Sequence, residues 1–590
     1  MKKNLITLIA VASFGFTHAQ NMLLNWADPL TSATTTSSYG LCIGTYSGND
    51  VFSAGTFQSG ATGIDFDPGA GVFSLVSTGA MTDMYITRIT ALNLFNWAIR
   101  VDGTGEEIPT RIISNGSAVY VVGYFTQTAN FPTSKTSAGG EDMFIARYDM
   151  NGNLVWVNRI GSIGQDRAMG ICFDAAGNLL VCGFFSGTVA FDPGLGRWSA
   201  LTSYGGTDAF FARYSPGGAL MGVAHRIGGV GNDRAMALTT DKIGRILVCG
   251  NYGQPNCDFD PGPGTAFQPN AGSRDAFVAS YSSVGVYNWA NTFGNAFDDD
   301  LLDVVTDVVN DVYVTGGFDQ GTIAITAPAF TNFATAMGLA DIILAKCNSA
   351  GVWQWSEKVG DVDDDVANAI GLDSNNHVYI SGYFALNADF DFYGADPTAM
   401  VSSLGGSRDI YIARYNMTTG AYNDVDVIAG TDMDRGHGMA IVGTLPAVYL
   451  TGEYGAANTD FLTGPGTFNL VPGPVAVFNS FIAKYDPTPL PPIHPGGGGT
   501  DNQKQAVTGN VHAASVYYPN PVSGTLFIEN IQDGVLAEIY SLDGKKAGTW
   551  NANESSKLAL DLSNLSGGMY LLRITKTDGS FSTEKIIVQH

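Results

Sequence analysis

Apolar residues come in short runs of about seven along this chain, and the runs recur at a fixed distance. In DMFIARY (142–148), Phe144, Ala146 and Tyr148 share one face of an extended segment while Met143 and Ile145 share the other. Both faces are mostly apolar, the mark of a strand covered on two sides. The third copy of the pattern predicts four strands: AMGICFD (168–174), NLLVCGFF (178–185), DAFFARY (208–214) and GVAHRIG (222–228). A short turn at Ala175-Ala176-Gly177 joins the first two as a hairpin.

This unit recurs seven times. Its second strand ends in Gly-x-Phe/Tyr, with the glycine at 55, 123, 183, 250, 316, 382 and 452, a period of about 66 residues. A second landmark follows each glycine: TDMYITR (82–88), EDMFIAR (141–147), TDAFFAR (207–213), RDAFVAS (274–280), ADIILAK (340–346), RDIYIAR (408–414) and FNSFIAK (478–484). Four-stranded units in this number predict a β-propeller, whereas a solenoid would need polar capping repeats, and none is evident. Several fourth strands carry Trp, as in FNWAIRV (95–101), LVWVNRI (154–160), YNWANTF (287–293) and WQWSEKV (353–359). The last copy has no such strand, but LLNWADPL (23–30) resembles LFNWAIRV (94–101), so the N-terminal strand is expected to complete the seventh blade and close the ring.

The predicted order is a signal peptide over 1–19, the propeller over 20–486, a Pro/Gly-rich linker over 487–515 and a last domain over 516–590. Lys2 and Lys3, the apolar run Leu5 to Phe16 and Thr17-His18-Ala19 make the signal, with cleavage expected after Ala19. No later stretch is apolar for long enough to predict a transmembrane helix. The linker changes from Pro-rich to Gly-rich within PTPLPPIHPGGGG. Six or seven short strands follow, from VYYPNP (516–521) to TEKIIVQ (583–589), as expected of a small immunoglobulin-like β-sandwich. The fold class is therefore all-β.

Charge then narrows the partners. A net charge of −25 disfavours nucleic acid, which needs a basic stripe. The six cysteines have no CxxC, which argues against zinc. Cys172 and Cys182 flank a hairpin and admit a bridge, though free thiols are the preferred reading in a body this large.

An acidic residue opens the first strand of six units: Glu106, Asp166, Asp233, Asp299, Asp365 and Asp434. These could line the channel mouth as a rim for Ca²⁺ or a polar ligand. Alternatively, each could cap backbone amides in a tight turn, the reading that recurrence in nearly every unit favours. The loops DFDPGAG (65–71), FDPGLG (191–196), DFDPGPG (258–264) and DFDFYG (389–394) carry turn signals first. Calcium at Asp65 and Asp67, or Asp258 and Asp260, is the second reading, and no cofactor is assigned. The Asp and Arg of EDMFIAR fall on opposite strand faces and are expected to steady the blade. Trp198 suits a sugar but is more often packing. No HExxH, GxSxG or GxxxxGK[ST] occurs, nor does the SxDxGxTW box of sialidase-type propellers.

Two resemblances add to this. NDVYVTGGF (310–318), NHVYISGYF (376–384) and AVYLTGEY (447–454) resemble the SBBP-type seven-bladed propeller repeats of secreted bacterial proteins, a family with no single activity. The tail resembles the type A C-terminal sorting domain of the type IX secretion system of Bacteroidota. The matching residues are Pro519, Asn520 and Pro521, then Gly567, Gly568 and Tyr570, then Lys585 near the terminus. That resemblance implies Sec export, the secretion machinery as a partner and a secreted or surface location. The expectation is a binding or adhesion module for a protein or glycan. A carbohydrate-active enzyme and a structural surface protein are the alternatives.

Overall fold

The computed structural model describes residues 22–487 and 516–588. Left out are 31–36, 47–49, 60–62, 193–199, 456–458, 463–467, 471–477, 519–524, 530–535, 542–545, 552–556, 576–580 and gaps of one or two residues elsewhere. The expected signal peptide and linker lie outside the described residues. The chain separates into two compact units, divided after Pro492.

In the first unit the described strands pair antiparallel into seven four-stranded sheets, one for each sequence repeat. Sheet 1 comprises Ser37–Tyr46, Asp50–Gln58, Asp83–Thr90 and Phe95–Gly103. Sheets 2 to 6 begin with Glu107–Ser114, Arg167–Phe173, Arg234–Thr240, Asp299–Thr306 and Val366–Leu372. Sheet 7 comprises Arg435–Val442, Ala447–Tyr454 and Asn479–Pro487, and its fourth strand is Met22–Leu30, in register Trp26↔Lys484. Each first strand lies beside the first strands of both neighbouring sheets. Ser37–Tyr46 lies beside Glu107–Ser114 and Arg435–Val442, so the circle closes and the seven first strands wall a central channel. Short ladders also link sheet 1 to sheet 2 at Asp102↔Asn130 and sheet 3 to the next repeat at Gly229↔Cys257.

The two-faced apolar pattern becomes two cores. Phe144, Ala146 and Tyr148 pack with Trp97 and Ile86 of sheet 1, while Met143 and Ile145 pack with Phe210 and Ala212 of sheet 3. Fourth-strand tryptophans pin five of the seven sheets to the next. Trp97, Trp156, Trp289 and Trp355 donate their indole N–H to the carbonyls of Met150, Pro216, Ser349 and Met417, at 2.9, 3.1, 3.3 and 3.1 Å. Trp26 does the same to Ala91 at 3.3 Å, so its likeness to Trp97 is one of position as well as sequence. All six cysteines are free, and Cys172 is the one that is not fully buried.

The recurrent glycine has a steric cause. Opposite it, every first strand carries a β-bulge, and the bulged residues are Leu41, Thr110, Met169, Met236, Leu302, Asn368 and His437. The bulge presses the facing backbone inward. A Cβ at Gly382 would lie 1.9 Å from the Val366 carbonyl oxygen, and one at Gly250 would lie 1.9 Å from that of Arg234. Only glycine fits there.

The second unit holds a three-stranded sheet (Val516–Tyr518, Thr525–Glu529, Lys557–Asp561) and a four-stranded one (Lys546–Asn551, Leu536–Ser541, Gly568–Thr575, Phe581–Val588). Leu526, Ile528 and Leu560 of one sheet share a core with Ile539, Leu572 and Val588 of the other, as in a sandwich.

Two outcomes follow from this packing. Gly382→Ala is expected to lower stability by about 3 kcal/mol, the upper range for overpacking against backbone that cannot yield. Trp355→Ala removes a buried indole with its hydrogen bond and is expected to cost about 3–5 kcal/mol. Urea unfolding of each variant against the parent measures both, and a midpoint unchanged by Gly382→Ala would refute the steric account of the bulge.

Candidate functional site

The acidic residues that open the first strands do not form a rim. Asp166, Asp233, Asp299, Asp365 and Asp434 are fully buried and accept backbone N–H groups at the sheet junctions. Asp233 accepts from Gly229 (2.7 Å) and Gly253 (3.0 Å), and Asp365 from Asp361 and Ala385 (both 3.1 Å). In sheet 2 the equivalent residue is Glu107 and not Glu106. Pairing of Gly123 with Pro109 sets the register, which puts Glu107 in the buried position and leaves Glu106 partly exposed. Turn capping is the role the five aspartates perform, whereas neither carboxylate oxygen of Glu107 has a hydrogen-bond partner among the described residues.

Each of them faces a second buried carboxylate, the Asp of the TDMYITR-type landmark on the preceding sheet. The pairs are Asp83 with Glu107, Asp142 with Asp166, Asp208 with Asp233, Asp275 with Asp299, Asp341 with Asp365 and Asp409 with Asp434. Burial, reinforced by the facing carboxylate, pushes Glu107 up to about 9 and Asp299, Asp365 and Asp434 up to about 8. Fourth-strand cations offset part of this. Lys358 lies 2.8 Å from Asp341 with both side chains fully buried, and Arg159 pairs with Asp142. The landmark arginine turns away instead: Arg147 and Arg213 donate to the carbonyls of Pro216 and Ser283 in the next sheet. At the seventh junction neither acid recurs: Ser38 stands at the first-strand position and Asn479 at the landmark position, and Ser480, next to Asn479, hydrogen-bonds to Ser38 at 3.0 Å.

The DFDPG loops are also structural. Asp65 accepts the N–H of Asp67 (3.1 Å) and Phe73 (2.8 Å), and Asp258 those of Asp260 (3.0 Å) and Ala266 (2.8 Å). The phenylalanine between the two acids is buried, with Phe66 5.0 Å from Tyr85 and Phe259 5.0 Å from Phe277. A further copy missed in the sequence, at Asp460 and Phe461, caps Leu462 (3.0 Å) and Phe468 (2.7 Å) in the same way. Among the described residues no group of three or more His, Cys, Asp or Glu is placed to hold a metal ion. Trp198 lies outside the described residues.

The channel is where the repeats diverge. All seven bulge residues turn into its mouth, on the face carrying the second-to-third and fourth-to-first connections, and line a cavity of about 270 Å³. Met169, Met236 and Leu302, on three successive sheets, make one part of that wall apolar, while Thr110, Asn368 and His437 are polar and Leu41 stands between His437 and Thr110. The next residue of each first strand is Cys42, Arg111, Gly170, Ala237, Asp303, Ala369 or Gly438. Five are small, and the two that are not meet across the channel, with Arg111 Nη2 2.7 Å from Asp303 Oδ1. Asp303 is held in turn by the N–H groups of Val304 (3.1 Å) and Ile370 (3.2 Å). This ion pair floors the mouth and separates it from a second cavity of about 450 Å³ lined by the later halves of the first strands.

Above the cavity stands a ring of arginines. Arg167 makes a two-pronged contact with Glu141 (2.6 and 2.7 Å) and lies 4.1 Å from the Tyr124 ring centroid. Arg274 pairs with Asp298 (2.9 Å), Arg435 with Glu453 (2.8 Å), and Arg408 with Asp364 while lying over Tyr383. Arg234 lies 5.1 Å from the Phe184 centroid and has no carboxylate within ion-pairing distance among the described residues. No charge pattern in a single repeat announces these residues. Aligning the seven first strands on their bulges would have exposed Arg111 and Asp303 as the exceptions.

Of the sorting-signal residues, Pro519, Asn520, Pro521 and Gly567 lie outside the described residues. Gly568 opens a strand, Lys585 pairs in register with Leu571, and the Tyr570 hydroxyl donates to the Ser566 carbonyl at 3.0 Å.

Residues 516–589 match the secretion system C-terminal sorting domain family. The tail is thus a sorting domain, which implies recognition by the type IX secretion machinery and delivery to the cell surface or outside it. No described helix is long and apolar enough to cross a membrane. An uncharacterized WD repeat-containing protein of Acanthamoeba polyphaga mimivirus is 24% identical over 216 residues, spanning 33% of this chain but only 15% of that relative. Among solved structures, PorZ, a surface component of the type IX secretion system of Porphyromonas gingivalis, is 10% identical at a TM-score of 0.25, over 93% of this chain and 81% of its own. The phage phi92 endosialidase is 8% identical at a TM-score of 0.29, over 96% and 87%. Structural likenesses at this level carry no weight for function.

The buried carboxylate pairs give the fold a pH dependence of definite sign. The folded groups hold protons that an unfolded Asp, with a pKa of 3.8, has released, so their stabilisation is full below that value and declines as pH rises through about 8. The thermal midpoint of the full chain is therefore expected to fall between pH 5 and pH 9. Asp434→Asn keeps an acceptor for the Gly455 N–H while removing the charge, and is expected to be more stable than the parent at pH 9 by about 1–3 kcal/mol. A parent midpoint that rises over this range would contradict proton sharing at the junctions.

Proposed function

We propose that this is an exported β-propeller that acts by binding, and that it takes a saccharide at the mouth of its channel. The observation that carries the reading is the layered character of the mouth. Apolar bulge side chains form part of the wall below, charged donors and acceptors stand above, and the Arg111–Asp303 pair closes the floor. A sugar ring has the complementary make-up, with apolar C–H faces and a rim of hydroxyls. The mouth carboxylates Glu141, Asp298, Asp364 and Glu453 are each tied to an arginine, which favours holding a ligand over activating water. The sorting domain supports the same reading, since it brings the propeller to the outside, where glycans are met.

Calorimetric titration of the full chain with a panel of neutral and acidic oligosaccharides tests this. Binding is expected for part of the panel, weakened about tenfold by Arg167→Ala, which removes a guanidinium from the cavity wall. A flat response to every sugar, or binding indifferent to Arg167→Ala, would reject the mouth as the site.

A further inference from the structure

One sector of the mouth has polar capacity that the protein does not satisfy. Five arginines stand in the ring, and among the described residues Arg167, Arg274, Arg408 and Arg435 each have a carboxylate partner. Arg234 has none, and its Nε is buried without a hydrogen-bond acceptor. Asp298 and Asp300 are near enough to act on it electrostatically, but both are engaged by Arg274. Arg234 lies over Phe184 at 5.1 Å, and Arg167, which lines the mouth cavity, lies 5.7 Å from the same ring. The neighbouring guanidiniums Arg167 and Arg274 repel a further cation. Directly across the ladder from Arg234 is Asn251, almost wholly buried, whose Oδ1 lacks a donor. In a chain of net charge −25, an unpaired arginine among arginines is a costly arrangement unless something anionic completes it.

We infer that Arg234 and Asn251 form an oxyanion subsite for an acidic sugar, with Arg234 taking the carboxylate and Asn251 accepting from a neighbouring hydroxyl. This deepens the saccharide reading and rests on it. The planar guanidinium matches a carboxylate with two parallel N–H donors, and Phe184 beneath fixes its plane. A hydroxyl next to a carboxylate is what a uronic acid presents, so the unsatisfied donor and the unsatisfied acceptor are both answered by one ligand. A simple anion would answer only the first.

The test is titration of the full chain with glucuronate oligomers, glucose oligomers of equal length, sulfate and a glutamate peptide, repeated on Arg234→Gln and Arg234→Lys. The glucuronate oligomer is expected to bind about tenfold or more tightly than the glucose oligomer, and Arg234→Gln to erase that difference. Arg234→Lys, which keeps the charge but not the fork, is expected to fall between the two. Because Arg234 has no ion pair to lose and stands among like charges, Arg234→Gln is expected to melt no lower than the parent. Equal binding of both sugars, unaltered by Arg234→Gln, would overturn the subsite and leave the saccharide reading standing. Sulfate binding as tightly as glucuronate, or the glutamate peptide binding where sugars do not, would also overturn it. If no sugar binds at all, both readings fall.

Discussion

The close approach of two backbones at the repeat glycine shapes most of what lies inside the ring. With no side chain at Gly382 or its six equivalents, the carbonyl of the first strand sits where a Cβ would otherwise be. That space lets the first strand carry an extra residue, and the extra residue turns toward the axis. Seven bulges therefore set the width of the mouth and choose its lining. A landmark that served to count repeats in the sequence is thus the steric condition for the cavity, two residues away across the ladder.

A second constraint acts between sheets. Strand ends bring many backbone amides into each junction, and burying them without acceptors would cost more than a hydrogen bond apiece. A carboxylate can accept several N–H groups at once, which suits the aspartates found at six junctions. Their closeness raises a like-charge cost that is met by retained protons or by a fourth-strand Arg or Lys. Ser38 and Asn479 mark the exception, and they stand beside the one sheet whose fourth strand comes from the opposite end of the described chain. There no two carboxylates meet and no proton has to be shared. The sheet held together without a continuous chain carries the junction that does not weaken as pH rises.

Much of the fold was legible because its signals are local and repeated. The Gly-x-Phe/Tyr landmark, the two-faced apolar strands and the fourth-strand tryptophans each report one short-range requirement. The strands of the tail were equally plain. What escaped was register and depth. Glu106 and Glu107 are adjacent, and only the pairing of Gly123 with Pro109 decides which is buried. Likewise, an aspartate at a strand start reads the same whether it faces water or a set of amides, so a rim could not be told from a cap without burial. The Arg111–Asp303 pair spans 192 residues and three sheets, and no periodicity points to it.

Residues that recur in every repeat answer the needs of the repeat: a bulge, a junction, a turn. A ligand that breaks sevenfold symmetry must be read by residues that break it too. By that measure the DFDPG loops and the paired acids, the most conspicuous polar features of the chain, drop out as recognition elements. What remains is a short set at the axis: Arg111 and Asp303 where other sheets place Cys, Gly or Ala, His437 beside Glu453, and the unpaired Arg234 facing Asn251. These lie on first strands or directly across from them, around the closed inner wall of the ring. A site assembled there is fixed by the ring itself, so its specificity can be altered one residue at a time without disturbing the junctions that hold the sheets together.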